Sequence, residues 1–198
     1  SLKGAAHEVI GDRIEAGTFL VAAAMVGPEV IVEGADLNHL SAFRDIMQQC
    51  GFRFDRLECG GVKVVRVAEA SNVQITTMPY PGYPTDLQAQ LVSMLSLTSG
   101  ISIVTERIFP DRFMHLAELA RLGANVTKVH SSAVITGVKQ LYGAPVMASD
   151  LRAGAALILA GLAAEGETEV NRIYHIDRGY ERIEEKLRGI GADIQRVD

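Results

Sequence analysis

Three arginines, Arg112, Arg152 and Arg178, each lie within two residues after an aspartate, where helices are predicted to begin. The start of a helix already favours anions, because its first backbone N–H groups have no partner within the helix. A cation is unfavourable to that dipole, so the placement indicates guanidinium groups aimed at a bound anion. The alternative is that each arginine forms a solvated ion pair with its neighbouring aspartate, which contributes little. Three matched placements favour the anion-binding interpretation.

Asp86 is a fourth candidate, and it follows a proline-rich loop over residues 78–84. Prolines restrict the loop, so we expect the carboxylate to be held in a fixed position, where it could act as a general base. It could equally cap the helix that follows, which is the more frequent role of an aspartate there. Asp12 and Asp150 occupy equivalent positions in the sequence and are interpreted as helix caps.

The histidines and cysteines show no catalytic or metal-binding pattern. His115 and His175 lie near the arginine segments, but their spacing matches no metal pair and they are interpreted as structural. Cys50 follows the apolar stripe of a predicted helix and is interpreted as a buried thiol, while Cys59 lies beside a glycine turn. Neither cysteine has an evident activating partner. We therefore expect no metal and no cofactor.

The candidate residues are distributed over a unit that recurs along the chain. In each copy an apolar helix is followed by a short strand, a second helix and a hairpin. The copies are predicted to cover about residues 12–78, 86–148 and 150–198 of a single domain, with hairpins at 52–67 and 125–138. The residues that mark them are Asp12, Asp86 and Asp150 before the first helix, Gly27, Gly100 and Gly166 at its end, and Asn38, Asp111 and Asp177 as caps of the second helix.

The two helices of the unit differ in character. The first is apolar nearly all round, which places it inside the protein, whereas the second has one apolar stripe. We therefore predict an α/β fold in which buried helices are surrounded by sheets, with approximate threefold symmetry. In the third copy a single predicted strand, residues 193–197, replaces the hairpin. An open edge of this kind could pair with another chain, including a second copy of this one.

The composition argues against several classes of function. Of the 198 residues 48% are apolar, enough to bury a large core. The net charge of −5 provides no broad basic field for nucleic acid or an anionic membrane, although a few arginines could hold a small anion. Since no leader and no apolar run long enough to cross a bilayer is seen, we predict a soluble cytoplasmic protein.

Five segments resemble the enolpyruvyl transferase family, and within it the branch that acts on UDP-N-acetylglucosamine in the first committed step of peptidoglycan synthesis. The resemblance runs along nearly the whole chain. The segments are DRIEAGTF at 12–19, PGYPTDLQAQ at 81–90, DRFMH at 111–115, APVMASDLRA at 144–153 and YHIDRGYERIE at 174–184.

The resemblance implies an inside-out α/β barrel, of which this chain would be the C-terminal half. It also implies that the 3-hydroxyl of UDP-N-acetylglucosamine adds to phosphoenolpyruvate and that phosphate is released. Asp86 would take the hydroxyl proton, and Ile108 would lie near the UDP-sugar. Arg112, Arg152 and Arg178 would bind the phosphate and carboxylate of phosphoenolpyruvate, since paired N–H donors suit both groups.

The sequence also departs from the family pattern. Gly11 stands where relatives usually have proline, and Pro110-Asp111 replaces the more usual Glu-Asn. The family's N-terminal half, which supplies a proton-donating cysteine and the strands that close the third copy, has no counterpart here. The resemblance therefore implies part of an enzyme, inactive alone. Two alternatives stay open: the sister enzyme that makes 5-enolpyruvylshikimate 3-phosphate, and a noncatalytic homologue.

Overall fold

The computed structural model describes residues 3–27, 30–58 and 60–197, so the position predicted for Cys59 lies outside it. Helices and strands are mixed along the chain, as the α/β prediction requires. The helices are α1 (Arg13–Val26), α2 (Ser41–Gln49), α3 (Gln88–Leu95), α4 (His115–Arg121), α5 (Leu151–Leu162) and α6 (Ile183–Gly189). The strands are β1 (Ile31–Val32), β2 (Phe52–Arg56), β3 (Val62–Arg66), β4 (Gln74–Thr76), β5 (Ile101–Thr105), β6 (Asn125–Val129), β7 (Ser132–Thr136), β8 (Leu141–Tyr142), β9 (Pro145–Met147), β10 (Ala164–Glu165) and β11 (Glu169–Asn171).

Within the described residues the strands form separate sheets and do not close into a barrel. One sheet has the order β1-β3-β2 and another the order β4-β5-β7-β6, while β10 pairs with β8 and β11 with β9 in parallel. Both predicted hairpins form, as β2–β3 and β6–β7. The second was expected to turn at Ser131 and Ser132 but turns one residue earlier, at His130 and Ser131, and His130 takes the positive φ that this tight turn needs.

The interior is built from the three apolar helices, which confirms the prediction of buried helices. Every residue of α3 is buried, and α3 packs against α1 and α5. The Ser93 hydroxyl of α3 donates to the carbonyl of Ala156 in α5 at 2.9 Å, so the two backbones approach closely. Among the described residues, no helix is long and apolar enough to cross a membrane.

The second helix of each copy is capped differently from the prediction. In the first copy Asp36, and not Asn38, caps the 3₁₀ turn Leu37–Leu40 by accepting the N–H of Asn38 at 2.9 Å, and α2 follows this turn without a side-chain cap of its own. Helices α4 and α6 begin several residues after Asp111 and Asp177, and neither has a side-chain cap. The predicted caps at Asn38, Asp111 and Asp177 are therefore wrong. Turns held by backbone hydrogen bonds, such as those from Phe113 to Asp111 and from Tyr180 to Ile176, lie before α4 and α6. The helices therefore begin later than the sequence indicates.

Glycines end the helices less uniformly than predicted. Gly27 is the C-cap of α1, but α3 and α5 end before Gly100 and Gly166, which lie in later turns. The second helices are each followed by a glycine with positive φ, the conformation that commonly terminates a helix. These glycines are Gly51, Gly123 and Gly191.

The predicted strand at residues 193–197 does not form. A strand needs a neighbour that accepts and donates its backbone hydrogen bonds, and no described strand pairs with this segment. The segment is held instead by Arg196, which pairs with Asp177 and Glu184. It borders a groove of about 770 Å³ that is also lined by residues of α1, α5 and α6.

Candidate functional site

The loop before α3 is closed on itself and presents Asp86. The N–H of Met78 donates to the carbonyl of Tyr83 at 3.0 Å, and the buried Tyr83 hydroxyl donates to the carbonyl of Leu87 at 3.1 Å. Asp86 lies within the 3₁₀ turn Thr85–Leu87, and its side chain caps neither this turn nor α3. The capping interpretation of Asp86 is therefore wrong, and its carboxylate is available to other partners.

The equivalent aspartates do cap their helices, as predicted. Asp12 accepts two N–H groups in the first turn of α1, at 2.7 and 3.3 Å. Asp150 accepts the N–H groups of Arg152 and Ala153, both at 2.8 Å. Since Asp150 is occupied by backbone groups, the guanidinium of Arg152 can turn to a different partner.

Arg112 and Arg152 converge on Asp86. Nη1 of Arg112 donates to Oδ1 of Asp86 at 2.9 Å and to Oγ1 of Thr85 at 3.2 Å, and Nε of Arg152 lies 3.6 Å from the same Oδ1. The two arginine side chains are 21% and 13% exposed, while that of Asp86 is 40% exposed. The two largely buried guanidinium groups offer more N–H donors than this one partly exposed carboxylate can accept. Such a cluster suits a small anion with several oxygens.

The aspartates next to the three arginines are all engaged elsewhere. Asp111 pairs with Lys128 at 2.9 Å, and Asp177 pairs with Arg196. Asp150 accepts backbone N–H groups, as described above. Within the described part of the chain, the interpretation of the arginines as solvated pairs with their neighbours is therefore wrong.

Arg178 is not brought into contact with Asp86. It is exposed and makes no hydrogen bond or ion pair with any residue that the structure describes. Its segment reaches the site through Tyr180, whose hydroxyl accepts from Nη1 of Arg152 at 3.2 Å and whose ring centre lies 5.5 Å from the guanidinium carbon. Ile108 is half-buried on the loop between β5 and α4, which also carries Arg112.

A buried polar network, which sequence analysis missed, contacts the cluster of Asp86 and Arg152. Oγ1 of Thr18 lies 2.8 Å from the hydroxyl of Tyr180, and Nε2 of Gln90 donates to Oγ1 of Thr18 at 3.0 Å and to the carbonyl of Asp86 at 2.9 Å. Thr18, Gln90 and Tyr180 are all buried. The signal that could have revealed the network is a polar residue inside an apolar helix, as at Thr18 and Gln90.

Comparison with known proteins identifies the family. The model of the family described as EPSP synthase (3-phosphoshikimate 1-carboxyvinyltransferase) matches residues 1–187. The chain belongs to the EPSP synthase family.

Curated relatives within the EPSP synthase family include transferases from several bacteria. UDP-N-acetylglucosamine 1-carboxyvinyltransferase 1 of Caldanaerobacter subterraneus subsp. tengcongensis is 53% identical over 98% of this chain. UDP-N-acetylglucosamine 1-carboxyvinyltransferase of Chelativorans sp. is 52% identical over 100% of it. The chain covers 47% and 46% of these two proteins, so it spans about half the length of the relatives it matches.

Solved structures in the EPSP synthase family share the fold. The enolpyruvyl transferase NikO from Streptomyces tendae superposes with a TM-score of 0.81 at 27% identity, over 94% of this chain and 44% of that one. EPSP synthase from Acinetobacter baumannii superposes with a TM-score of 0.68 at 24% identity, over 96% of this chain and 45% of that one. The enolpyruvyl transferase fold that the resemblance implied is thereby confirmed.

Glu106 is a second group near the site that could not be recognised from the sequence. It directly follows β5, is fully buried, and lies between the loop that ends at Asp86 and the loop that carries Arg112. Its carboxylate accepts hydrogen bonds from the hydroxyls of Thr77 and Thr85. Nothing in the sequence distinguished this glutamate from those on the surface.

His115 and Cys50 are buried, as the structural interpretation requires. Burial lowers the pKa of His115 to about 4, an effect that the Asp150 carboxylate opposes and the Arg112 guanidinium strengthens. The imidazole is therefore neutral at neutral pH. Burial raises the pKa of Cys50 to about 12, which keeps this thiol protonated and unreactive. The ring of His175 lies against that of Tyr174, with centroids 4.3 Å apart.

Proposed function

We propose that this chain is the half of an enolpyruvyl transferase that holds phosphoenolpyruvate and supplies the base, in an enzyme that acts on UDP-N-acetylglucosamine. The observation that carries the proposal is the convergence of Arg112 and Arg152 on Asp86. Identities of 53% and 52% to relatives named for UDP-N-acetylglucosamine, against 24% to an EPSP synthase, support the UDP-sugar over shikimate 3-phosphate as the acceptor.

In the proposed reaction the 3-hydroxyl oxygen of the sugar forms a bond to C2 of phosphoenolpyruvate, while Asp86 takes the hydroxyl proton. C3 gains a proton from an acid that the other half of the enzyme supplies. The C2–O bond to phosphate then breaks and C3 gives up a proton, which yields the enol ether and inorganic phosphate.

The arginines bind and stabilise in this scheme. Arg112 and Arg152 hold the phosphate and carboxylate of phosphoenolpyruvate through paired N–H donors. Donors fixed in a partly buried site stabilise developing negative charge, typically by about 3 kcal/mol each. Arg178, which is exposed and has no described partner, is proposed to join them when substrate is bound, and Ile108 to contact the UDP-sugar.

The proposal includes a partner, the other half of the same enzyme. Strands from that half are proposed to fill the groove of about 770 Å³ beside residues 190–197. Without it, this face would be free to associate with a second copy of the chain. Since nucleotide sugars and phosphoenolpyruvate are cytoplasmic metabolites, we propose a cytoplasmic role in peptidoglycan synthesis.

The test follows phosphate release from phosphoenolpyruvate and UDP-N-acetylglucosamine, first with this chain alone and then after addition of a separately made N-terminal half of a close relative. We expect no release from the chain alone, release from the mixture, and none when shikimate 3-phosphate replaces the UDP-sugar. Saturable activity of the chain alone would contradict the assignment of the acid to the other half. Release with shikimate 3-phosphate only would favour the sister enzyme, and a stable but silent complex would favour a noncatalytic homologue.

A further inference from the structure

Glu106 is a fully buried carboxylate that pairs with no cation among the described residues. Its Oε1 accepts from the hydroxyl of Thr77 at 2.6 Å and from the backbone N–H groups of Ile108 and Phe109 at 2.8 and 3.0 Å. Its Oε2 accepts from the hydroxyl of Thr85 at 2.9 Å. Burying a carboxylate is unfavourable unless donors replace its hydration, and these four donors do so.

The donors belong to the two loops that carry the proposed site. Thr85 directly precedes Asp86, while Ile108 and Phe109 belong to the loop that leads to Arg112. Glu106 therefore connects the proposed base with one of the proposed anion-binding arginines, although it touches neither.

The hydroxyl of Thr85 carries this connection to Arg112. Because the Thr85 proton is donated to Glu106, the lone pairs of Oγ1 remain available to a donor, and Nη1 of Arg112 donates to that oxygen at 3.2 Å. The same Nη1 donates to Oδ1 of Asp86 at 2.9 Å. The direction of the Thr85 hydroxyl thus decides whether Arg112 meets an acceptor or a donor beside Asp86.

We propose that Glu106 is a positioning residue, which orients Thr85 and the loop over residues 106–112 so that Arg112 and Asp86 are held ready for an anion. The identity of that anion, phosphoenolpyruvate or its phosphate group, rests on the proposed function. The coupling between the two loops does not. Glu106→Gln keeps the size of the side chain, but its NH₂ group has to face either the Thr85 hydroxyl or the three donors at the other oxygen. When the NH₂ group faces Thr85, the proton of the Thr85 hydroxyl has to turn away from residue 106 and toward Arg112.

The experiment uses the 198-residue chain labelled with ¹⁵N. Glu106→Gln is compared with Glu118→Gln, a matched control in α4 whose carboxylate accepts the N–H of Met147 at 3.0 Å. We expect exchange of the Ile108 and Phe109 amide protons to become about tenfold faster in Glu106→Gln, because each loses a charged acceptor. We also expect shifted side-chain signals of Arg112 and about tenfold weaker binding of phosphoenolpyruvate by calorimetry. Glu118→Gln should change none of these.

A pair of substitutions at Thr85 keeps the proposal testable if Glu106→Gln does not fold. Thr85→Val removes the hydroxyl and should shift the Arg112 signals and weaken binding in the same way, whereas Thr85→Ser keeps the hydroxyl and should restore both. Unchanged amide exchange and Arg112 signals in Glu106→Gln, or unchanged Arg112 signals in Thr85→Val, would overturn the proposal. If the parent chain binds neither phosphoenolpyruvate nor inorganic phosphate while the exchange effects appear, the proposed function fails and the coupling stands.

Discussion

Asp86 differs from the other aspartates that precede apolar helices, because guanidinium groups hold its carboxylate where helix N–H groups would otherwise do so. The 2.9 and 3.6 Å separations from Arg112 and Arg152 mean that the proposed base and the proposed anion-binding groups partly neutralise each other. An anionic substrate would compete for the same donors. On this view, binding of phosphoenolpyruvate releases the carboxylate at the moment when it has to accept a proton.

The substitution Asp86→Asn separates these two effects. We expect phosphate release by the recombined halves to fall about 100-fold or more, since the amide cannot take the hydroxyl proton. Binding of phosphoenolpyruvate to the chain should be unchanged or tighter in calorimetry, because Arg112 and Arg152 lose an internal counter-ion. Asp111→Asn is the control, since Asp111 lies beside Arg112 but pairs with Lys128. Equal losses of binding and turnover in Asp86→Asn would mean that Asp86 has only a structural role.

At the scale of the elements, the central helices could be predicted because their signals are local. An aspartate before an apolar run marks the starts of α1 and α5, where Asp12 and Asp150 do cap the helix. The same pattern fails at Asp86 because Arg112, which is distant in sequence, competes for its carboxylate. The short parallel pairs β8–β10 and β9–β11 were missed for a related reason, since partners far along the chain define them. The contacts of Glu106 with Thr77 and Thr85, and those of Tyr180 with Thr18 and Gln90, are likewise non-local.

The hydroxyl of Tyr180 contacts residues of α1, α3 and α5, so it should matter for stability as well as for the site. In Tyr180→Phe, Thr18, Gln90 and Arg152 each lose a partner while the ring stays in place. We expect the free energy of unfolding in urea to fall by about 1–3 kcal/mol. Binding of phosphoenolpyruvate should also weaken, because Arg152 is less well held.

Tyr142→Phe provides the control for this substitution, since Tyr142 is 58% exposed. It should change neither the urea midpoint nor the binding constant. If Tyr180→Phe behaves in the same way as Tyr142→Phe, the network does not hold the helices together.

The burial of His115 in α4 should make the stability of the chain depend on pH. Its pKa is about 4 in the folded protein, against an ordinary value of 6.5, so the unfolded chain binds the proton more readily. The contribution of the neutral imidazole is therefore complete above pH 6.5 and is lost as the pH falls toward 4. Between pH 7 and pH 5 the free energy of unfolding should decrease by about 2 kcal/mol on account of this group.

Urea titrations of the parent and of His115→Leu at both pH values measure this contribution. The substitution should remove that part of the decrease, whatever its effect on stability at pH 7. His7→Leu, in an exposed segment, should leave the pH dependence as it is in the parent. An equal pH dependence in the parent and in His115→Leu would show that His115 does not carry it.

At the scale of the whole molecule, the third predicted copy differs from the other two. The first two copies each have an antiparallel hairpin beside their helices, whereas the third has only parallel pairs and an unpaired segment at residues 193–197. The groove there is bordered by apolar residues that remain partly exposed, including Val26 and Ile190 at 46% and 47%. The groove is also lined by residues of α5, the helix whose first turn carries Arg152. A partner that added strands there would therefore stabilise a helix that supports the proposed site as well as this edge.

Ile190→Lys tests whether the other half of the enzyme covers this groove. The substitution should barely alter the stability of the chain alone, since Ile190 is nearly half exposed, but a lysine buried without a partner should weaken the complex of the two halves about tenfold or more. Sedimentation velocity of the mixture measures this loss, and phosphate release should fall in parallel. Ile101→Lys is the matched control, because Ile101 is 57% exposed at the start of β5 and does not line the groove. If both variants assemble as the parent does, the other half covers a different face. The exposed apolar residues of the groove would then favour association between copies of this chain.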